Sequence, residues 1–145
     1  MVDLTVRATP VTADAVAAHR RPNTIGVRLF ASGSTELPGL GATLADRVRK
    51  QLPDAPSVAA WDFMSIAMSV FAADRFVARS GSPNGWTRVI GLDVALVDPV
   101  PWTARASELA EALRFLTGDV WHLTFRTGGF ACPQVQRRLH DRDAI

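Results

Sequence analysis

Three histidines and a single cysteine are the side chains of this 145-residue sequence with the most direct capacity for chemistry, together with two aspartates set in a long apolar run. His19, His122 and His140 share neither the i, i+4 nor the His-x-Glu spacing that brings ligands onto one metal ion, and one thiol cannot build a zinc cluster. Metal binding is not expected. Cys132 stands beside Pro133 in a stretch without a helix N-terminus to lower its pKa, so a nucleophile pair with His122 or His140 lacks its setting and a bystander thiol is expected. Asp62 and Asp74 are twelve residues apart, about 120° around a helix axis, and do not converge as an acid and base. Each is expected at the edge of a buried zone, paired with an arginine. His122, Thr124 and Arg126 alternate along one strand face, the single convergent polar row in the chain. That row could greet an anionic ligand or a protein partner, but an ordinary solvated sheet face is the favoured reading. Ser32-Gly-Ser lacks the Gly-x4-Gly-Lys-Ser/Thr spacing that wraps phosphates. Trp61, Trp86, Trp102 and Trp121 fall on apolar stripes and read as core. No catalytic, cofactor-binding or metal residue is assigned.

The element that must position these groups is the run from Ser57 to Ser80, free of internal Gly and Pro, preceded by Pro56 and followed by Gly81 and Pro83. It reads as one long helix. Trp61, Met64, Met68 and Phe71 fall on one face and Phe63, Ile66, Val70 and Val77 on the next, so cover on more than one side is expected. The narrow polar stripe of Asp62, Ser65 and Ser69 would let another backbone lie close.

Period-two alternation predicts strands at Val2–Thr9 and Ile25–Ala31, with a polar loop at Pro10–Asn23. Thr43–Leu52 reads as a short helix, Trp86–Val97 as a third strand with its even positions on the core, and the stretch after Asp98 as a helix of about fifteen residues stopped by Gly118. Val120–Thr127 is a fourth strand, with Trp121, Leu123 and Phe125 facing in. Two strands in succession favour antiparallel pairing. The expectation is an α+β fold: a small, mostly antiparallel sheet of about four strands with helices packed on one face, in the order ββααβαβ. Residues 1–127 form that domain, and 128–145 have the composition of a linker.

A hydrophobic fraction of 48% describes a folded chain. A pI near 9.5 reflects an excess of only two positive charges in a chain without tyrosine, and does not argue for a nucleic-acid surface. No membrane span or signal-peptide pattern is read, and the lone cysteine suits a reducing compartment, so a cytoplasmic protein is expected.

Three blocks carry a resemblance: Trp61-Asp-Phe-Met-Ser-Ile-Ala-Met-Ser-Val-Phe-Ala-Ala-Asp-Arg, Ser82-Pro-Asn-Gly-Trp-Thr-Arg, and Leu113-Arg-Phe-Leu-Thr-Gly-Asp-Val-Trp-His-Leu-Thr-Phe-Arg. Together they resemble the N-terminal region of the QueC-like proteins of bacterial anti-phage defence systems, the QatC type, over Trp61–Arg126. The resemblance implies a prelude to an ATP-pyrophosphatase domain related to 7-cyano-7-deazaguanine synthase. That domain opens with a strand leading into a Ser-Gly-Gly-x-Asp-Ser loop that holds the pyrophosphate of ATP. The sequence contains no such loop and no cysteine set for that family's zinc, so no catalytic residue carries over; Asp143-Ala144-Ile145 is similar to the entry of that strand. The resemblance thus implies a non-catalytic docking or substrate-presenting domain. No cofactor is expected in this chain, ATP belongs to the domain it would serve, and that domain, in cis or in trans, is the expected partner, with other defence-system proteins beside it. A free-standing binding module for an anionic small molecule or a protein is the alternative.

Overall fold

The computed structural model describes residues 2–81 and 84–131. Cys132, His140 and Asp143-Ala144-Ile145 lie outside the described residues, as do Ser82 and Pro83 of the second resemblance block. The elements run β1 (Leu4–Thr9), α1 (Thr12–His19), β2 (Thr24–Leu29), β3 (Gly39–Leu40), α2 (Leu44–Gln51), α3 (Val58–Phe76), a 3-10 turn at Arg79–Gly81, β4 (Val89–Ala95), α4 (Pro99–Ala104), α5 (Ala106–Thr117) and β5 (Val120–Arg126). The five strands form one sheet in the order β3-β2-β1-β4-β5, and every neighbouring pair is parallel. This is a Rossmann-like α/β arrangement.

The topology corrects the expected antiparallel α+β fold. Thr12–His19, read as part of a polar loop, is a helix, and it supplies the crossover that lets β2 return parallel to β1. The helix escaped notice because its buried side is only Ala15 and Ala18, too small to draw an apolar stripe. It packs on Gly26: a Cβ there would fall 1.9 Å from the Ala15 carbonyl oxygen, so only glycine lets helix and strand approach this closely. The two-residue β3 was likewise too short to show a period.

Helices cover both faces of the sheet, not one. Val6, Ala8, Val27, Leu29, Ile90, Leu92, Val94, Leu96, Trp121 and Phe125 form the core with Ile66, Ala72, Ala73 and Val77 of α3. Leu109, Ala110 and Leu113 of α5 pack against the same cluster. The alternate residues of β1 and β2 point the other way, where Gly26 meets α1 and Arg7 pairs with Asp14 of α1. Each fully buried Val, Leu or Ile contributes roughly 1.5–3 kcal/mol in gross terms.

Ser57 begins α3 as its N-cap, its Oγ accepting from Ala60 N at 3.2 Å. The helix turns its small polar stripe toward the protein interior: Asp62, Ser65 and Ser69 are buried. Ser65 Oγ donates to Trp61 O at 3.0 Å and Ser69 Oγ to Ser65 O at 2.6 Å, so neither hydroxyl is stranded. Small side chains there let the helix axis come close to the strands, as expected. Among the described residues, cover on more than one side is not found: Phe63 and Phe71 are more than half exposed. Phe63 stacks on Trp102 of α4, and the Arg75 guanidinium lies over Phe71. Trp86, expected in the core, precedes β4 and is 79% exposed. The helix after Asp98 breaks at Arg105 into α4 and α5, and α5 ends at Gly118 with φ of 75°. No helix among the described residues is long and apolar enough to cross a membrane.

Candidate functional site

In open parallel sheets the ligand position is the crevice at the carboxyl ends of the strands where the connections diverge. Here that point lies between β1, whose chain turns into α1, and β4, whose chain turns into α4. The β1–α1 turn reads Thr9-Pro10-Val11. It has no glycine to let a backbone approach phosphate, and Pro10 has no N–H to offer. Thr9 is fully buried and spends its Oγ1 on Val11 N, 3.1 Å away.

On the β4 side the backbone does present two amides, and Asp62 takes both. Val97 N donates to Asp62 Oδ1 at 2.8 Å and Asp98 N to Oδ2 at 2.9 Å. The carboxylate is 1% exposed. A side chain of α3 thus stands at the amides that an anionic ligand group would use in a sheet of this order. Asp62 was expected to pair with an arginine; it pairs with main chain. Asp98, expected as the cap of the following helix, caps nothing with its side chain.

Among the described residues, the segment after β5 runs across the same end of the sheet. Leu96 N donates to Arg126 O at 2.7 Å and Gly129 N to Leu96 O at 3.1 Å. A Cβ at Gly129 would lie 2.3 Å from the Leu96 carbonyl carbon, so a glycine is required where this segment passes the backbone just beyond β4. Phe130 then stacks on Phe30 with centroids 4.2 Å apart, and both rings meet Trp61 edge-on at 5.6 and 5.7 Å. Phe30 holds its ring there from a backbone φ of 56°, a conformation that costs a bulky residue about 1–3 kcal/mol. Gly129 and Phe130, in a stretch whose composition is that of a linker, therefore pack at this end of the sheet.

At the opposite end of the strands lies a second polar cluster. Arg88 is 2% exposed, although its position in the alternation marks it as a core residue. Its Nε and Nη2 donate to Asp119 Oδ2 at 3.2 and 2.6 Å, Nη2 also to Asp74 Oδ1 at 2.6 Å, and Nη1 to the carbonyls of Val77 and Asp74. Arg79 adds a bidentate contact to Asp119 at 2.9 and 3.2 Å. Burial alone would push the Asp119 carboxyl up; hydrogen bonds from the Arg88 side chain and backbone and the charges of Arg88 and Arg79 outweigh it and hold it below the usual carboxylate range. Arg88 is raised, chiefly by its hydrogen bond to Asp119. Asp74 pairs with an arginine as expected.

The polar row on β5 divides. His122 and Thr124 are exposed, whereas Arg126 is half-buried and neutralised: its Nε donates to Asp93 Oδ1 at 2.8 Å and its Nη2 lies 2.9 Å from Asp14 Oδ2. Arg7 completes the ring, 3.1 Å from Asp14 and 3.3 Å from Asp93. Burial raises Asp14, but the charges of Arg126 and Arg7 prevail and leave it lowered. His19 is exposed, its Nδ1 accepting from Gly26 N at 3.3 Å. Among the described residues no three His, Cys, Asp or Glu side chains gather to hold a metal ion.

Sequence reasoning missed the role of Asp62, the aromatic closure by Phe130, and the Arg88–Asp119 pair. A carboxylate on the buried stripe of an apolar helix and an arginine on the core row of a strand were the available signals, since a buried charge requires a partner. Comparisons of the chain with protein-family models, with curated proteins and with solved structures return no match.

Proposed function

We propose that this chain is the non-catalytic N-terminal docking or substrate-presenting domain of a QueC-like, ATP-dependent anti-phage defence protein, working in the cytoplasm beside an ATP-pyrophosphatase domain supplied in cis or in trans. The observation that carries the non-catalytic reading is the self-filled crevice. Asp62 occupies the two amides of the β4–α4 turn, and Phe130, Phe30 and Trp61 pack over the remainder. A nucleotide would have to displace a buried carboxylate and an aromatic cluster to enter. The family assignment rests on the three sequence blocks. Docking is supported by Phe63 and Phe71 on α3 and by Phe115 and Leu116 on α5, large apolar side chains that are exposed.

Calorimetry tests the reading. The isolated chain should give no heat with ATP or with 7-cyano-7-deazaguanine, and should bind a QueC-like pyrophosphatase domain. Turnover of ATP by the chain alone would overturn it. The rival reading, an anionic ligand on the His122, Thr124 and Arg126 face, gains no support from an arginine already flanked by two carboxylates.

A further inference from the structure

The two edges of the sheet are protected unequally. β3 presents only two residues, Gly39 and Leu40, a length that offers little to an incoming strand. β5 pairs with β4 without interruption from Val120 to Arg126, and no described strand lies on its other side. Val120 N donates to Arg88 O and Arg126 O accepts from Leu96 N. By the alternation of a strand, Val120, His122, Thr124 and Arg126 direct their backbone groups at β4, and Trp121, Leu123 and Phe125 direct theirs outward. The edge thus offers three residues' amides and carbonyls. As described, it carries no Pro, no Lys and no bulge, three of the devices by which edges are blunted, and its one arginine, Arg126, is held by carboxylates.

From this we infer that β5 is a pairing edge for a second copy of the same chain, joined antiparallel about a two-fold axis through Leu123 to make one continuous sheet. The strand is complementary to itself in one register. With Leu123 opposite Leu123 of the second copy, Trp121 faces Phe125, His122 faces Thr124 and Val120 faces Arg126. All seven residues of β5 are then paired. The apolar row Trp121, Leu123 and Phe125 continues across the seam on the α5 side, giving the aromatic and aliphatic cross-strand pairs that stabilise sheets. No like charges meet. Sliding by one residue would turn the outward amides away from each other. Sliding by two sets His122 opposite His122, or His122 opposite Arg126, and shortens the pairing. The register is therefore fixed by the direction of the outward amides and by the length of the pairing. A two-fold of this kind is closed, so pairing stops at the dimer and does not propagate into a fibre. Arg126 keeps its carboxylates, since its side chain stands on the α1 face while the new bonds are made in the plane of the sheet.

Sedimentation equilibrium on the full chain up to about 1 mM tests the inference, with two surface double variants. His122→Lys with Thr124→Lys puts lysine opposite lysine at both cross-strand pairs; His122→Glu with Thr124→Glu puts glutamate opposite glutamate. Both positions are exposed, so the fold is retained, and circular dichroism checks that it is. The wild-type chain should dimerise, each double variant should be monomeric, and an equimolar mixture of the two should dimerise again through lysine–glutamate pairs. A wild-type chain that stays monomeric overturns the inference. So does a dimer that survives in both double variants, which would place its interface elsewhere, and so does a mixture of folded variants that fails to reassociate.

Discussion

The two ends of the sheet each bury a carboxylate, and they satisfy it in opposite ways. At the amino ends of β4 and β5, Asp119 is fully buried against the charges of Arg88 and Arg79. At the carboxyl ends, Asp62 is buried against two neutral amides and roofed by aromatic rings. The first end is held by full charges and the second by main-chain dipoles. The difference lies in what is left behind when the carboxylate is removed. One deletion strands a cation, the other strands two N–H groups.

The largest effect is therefore expected at the charged end. Asp119→Ala leaves the Arg88 guanidinium buried with only Asp74, itself half-exposed, as counter-charge, and should cost about 3–5 kcal/mol by urea denaturation. The same end should dominate acid sensitivity. Asp119 titrates below its unfolded value, so its contribution is complete above the unfolded carboxylate pKa, about 4, and is lost as pH falls through the lower folded value. Asp14, lowered by Arg126 and Arg7 against the effect of burial, adds loss in the same window. Stability that held constant from pH 5 down to pH 2 would contradict the ion-pair geometry at this end.

Asp62→Ala should cost less, roughly 2–4 kcal/mol, because two buried amides lose an acceptor but no bare charge remains. This variant also sharpens the contrast. The vacated position faces two parallel N–H donors, so formate should restore part of the melting temperature in Asp62→Ala. The two sites lie at opposite ends of β4, roughly 20 Å apart, since Asp62 and Asp74 are separated by twelve residues of α3 at about 1.5 Å each. Their effects should add within about 0.5 kcal/mol in the double variant. A larger coupling would mean that the ends communicate through α3, which bears both Asp62 and Asp74.

How much of this was legible depended on side-chain size. The inward rows of β4 and β5 and the left-handed cap at Gly118 were readable because large apolar residues alternate, or because a glycine sits at a helix end. The parallel topology was not, since it turns on α1, whose contact with the sheet is Ala15 against Gly26, and small residues leave no periodic signal. Gly26 was the clue: a glycine inside a strand marks a place where another backbone comes close. The long helix shows the converse error. Its aromatic residues suggested cover on more than one side, yet Phe63 and Phe71 face solvent while two serines and an aspartate face the interior. Hydrophobicity identified the helix, but approach distance decided which side goes in. The candidate crevice was equally hidden, because its closure joins Asp62, Phe30 and Phe130, residues brought together only by the strand order.

The smallest expected effect tests whether the aromatic roof or the carboxylate is the main closure at the carboxyl end. Phe130 is half-buried, so Phe130→Ala forfeits only part of the area of a core ring and its stacking on Phe30, about 1–2 kcal/mol. Trp61 loses one of its two edge contacts in the same step, and its fluorescence should shift toward the red as water reaches the indole. Asp62 keeps both amides in this variant, so the crevice should still reject nucleotide, and calorimetry with ATP should stay silent. Were Phe130→Ala alone to admit ATP, the roof rather than the carboxylate would be what excludes ligand. The two ends of the sheet would then differ in purpose as well as in chemistry, with the charged end fixing the fold and the aromatic end guarding a usable site.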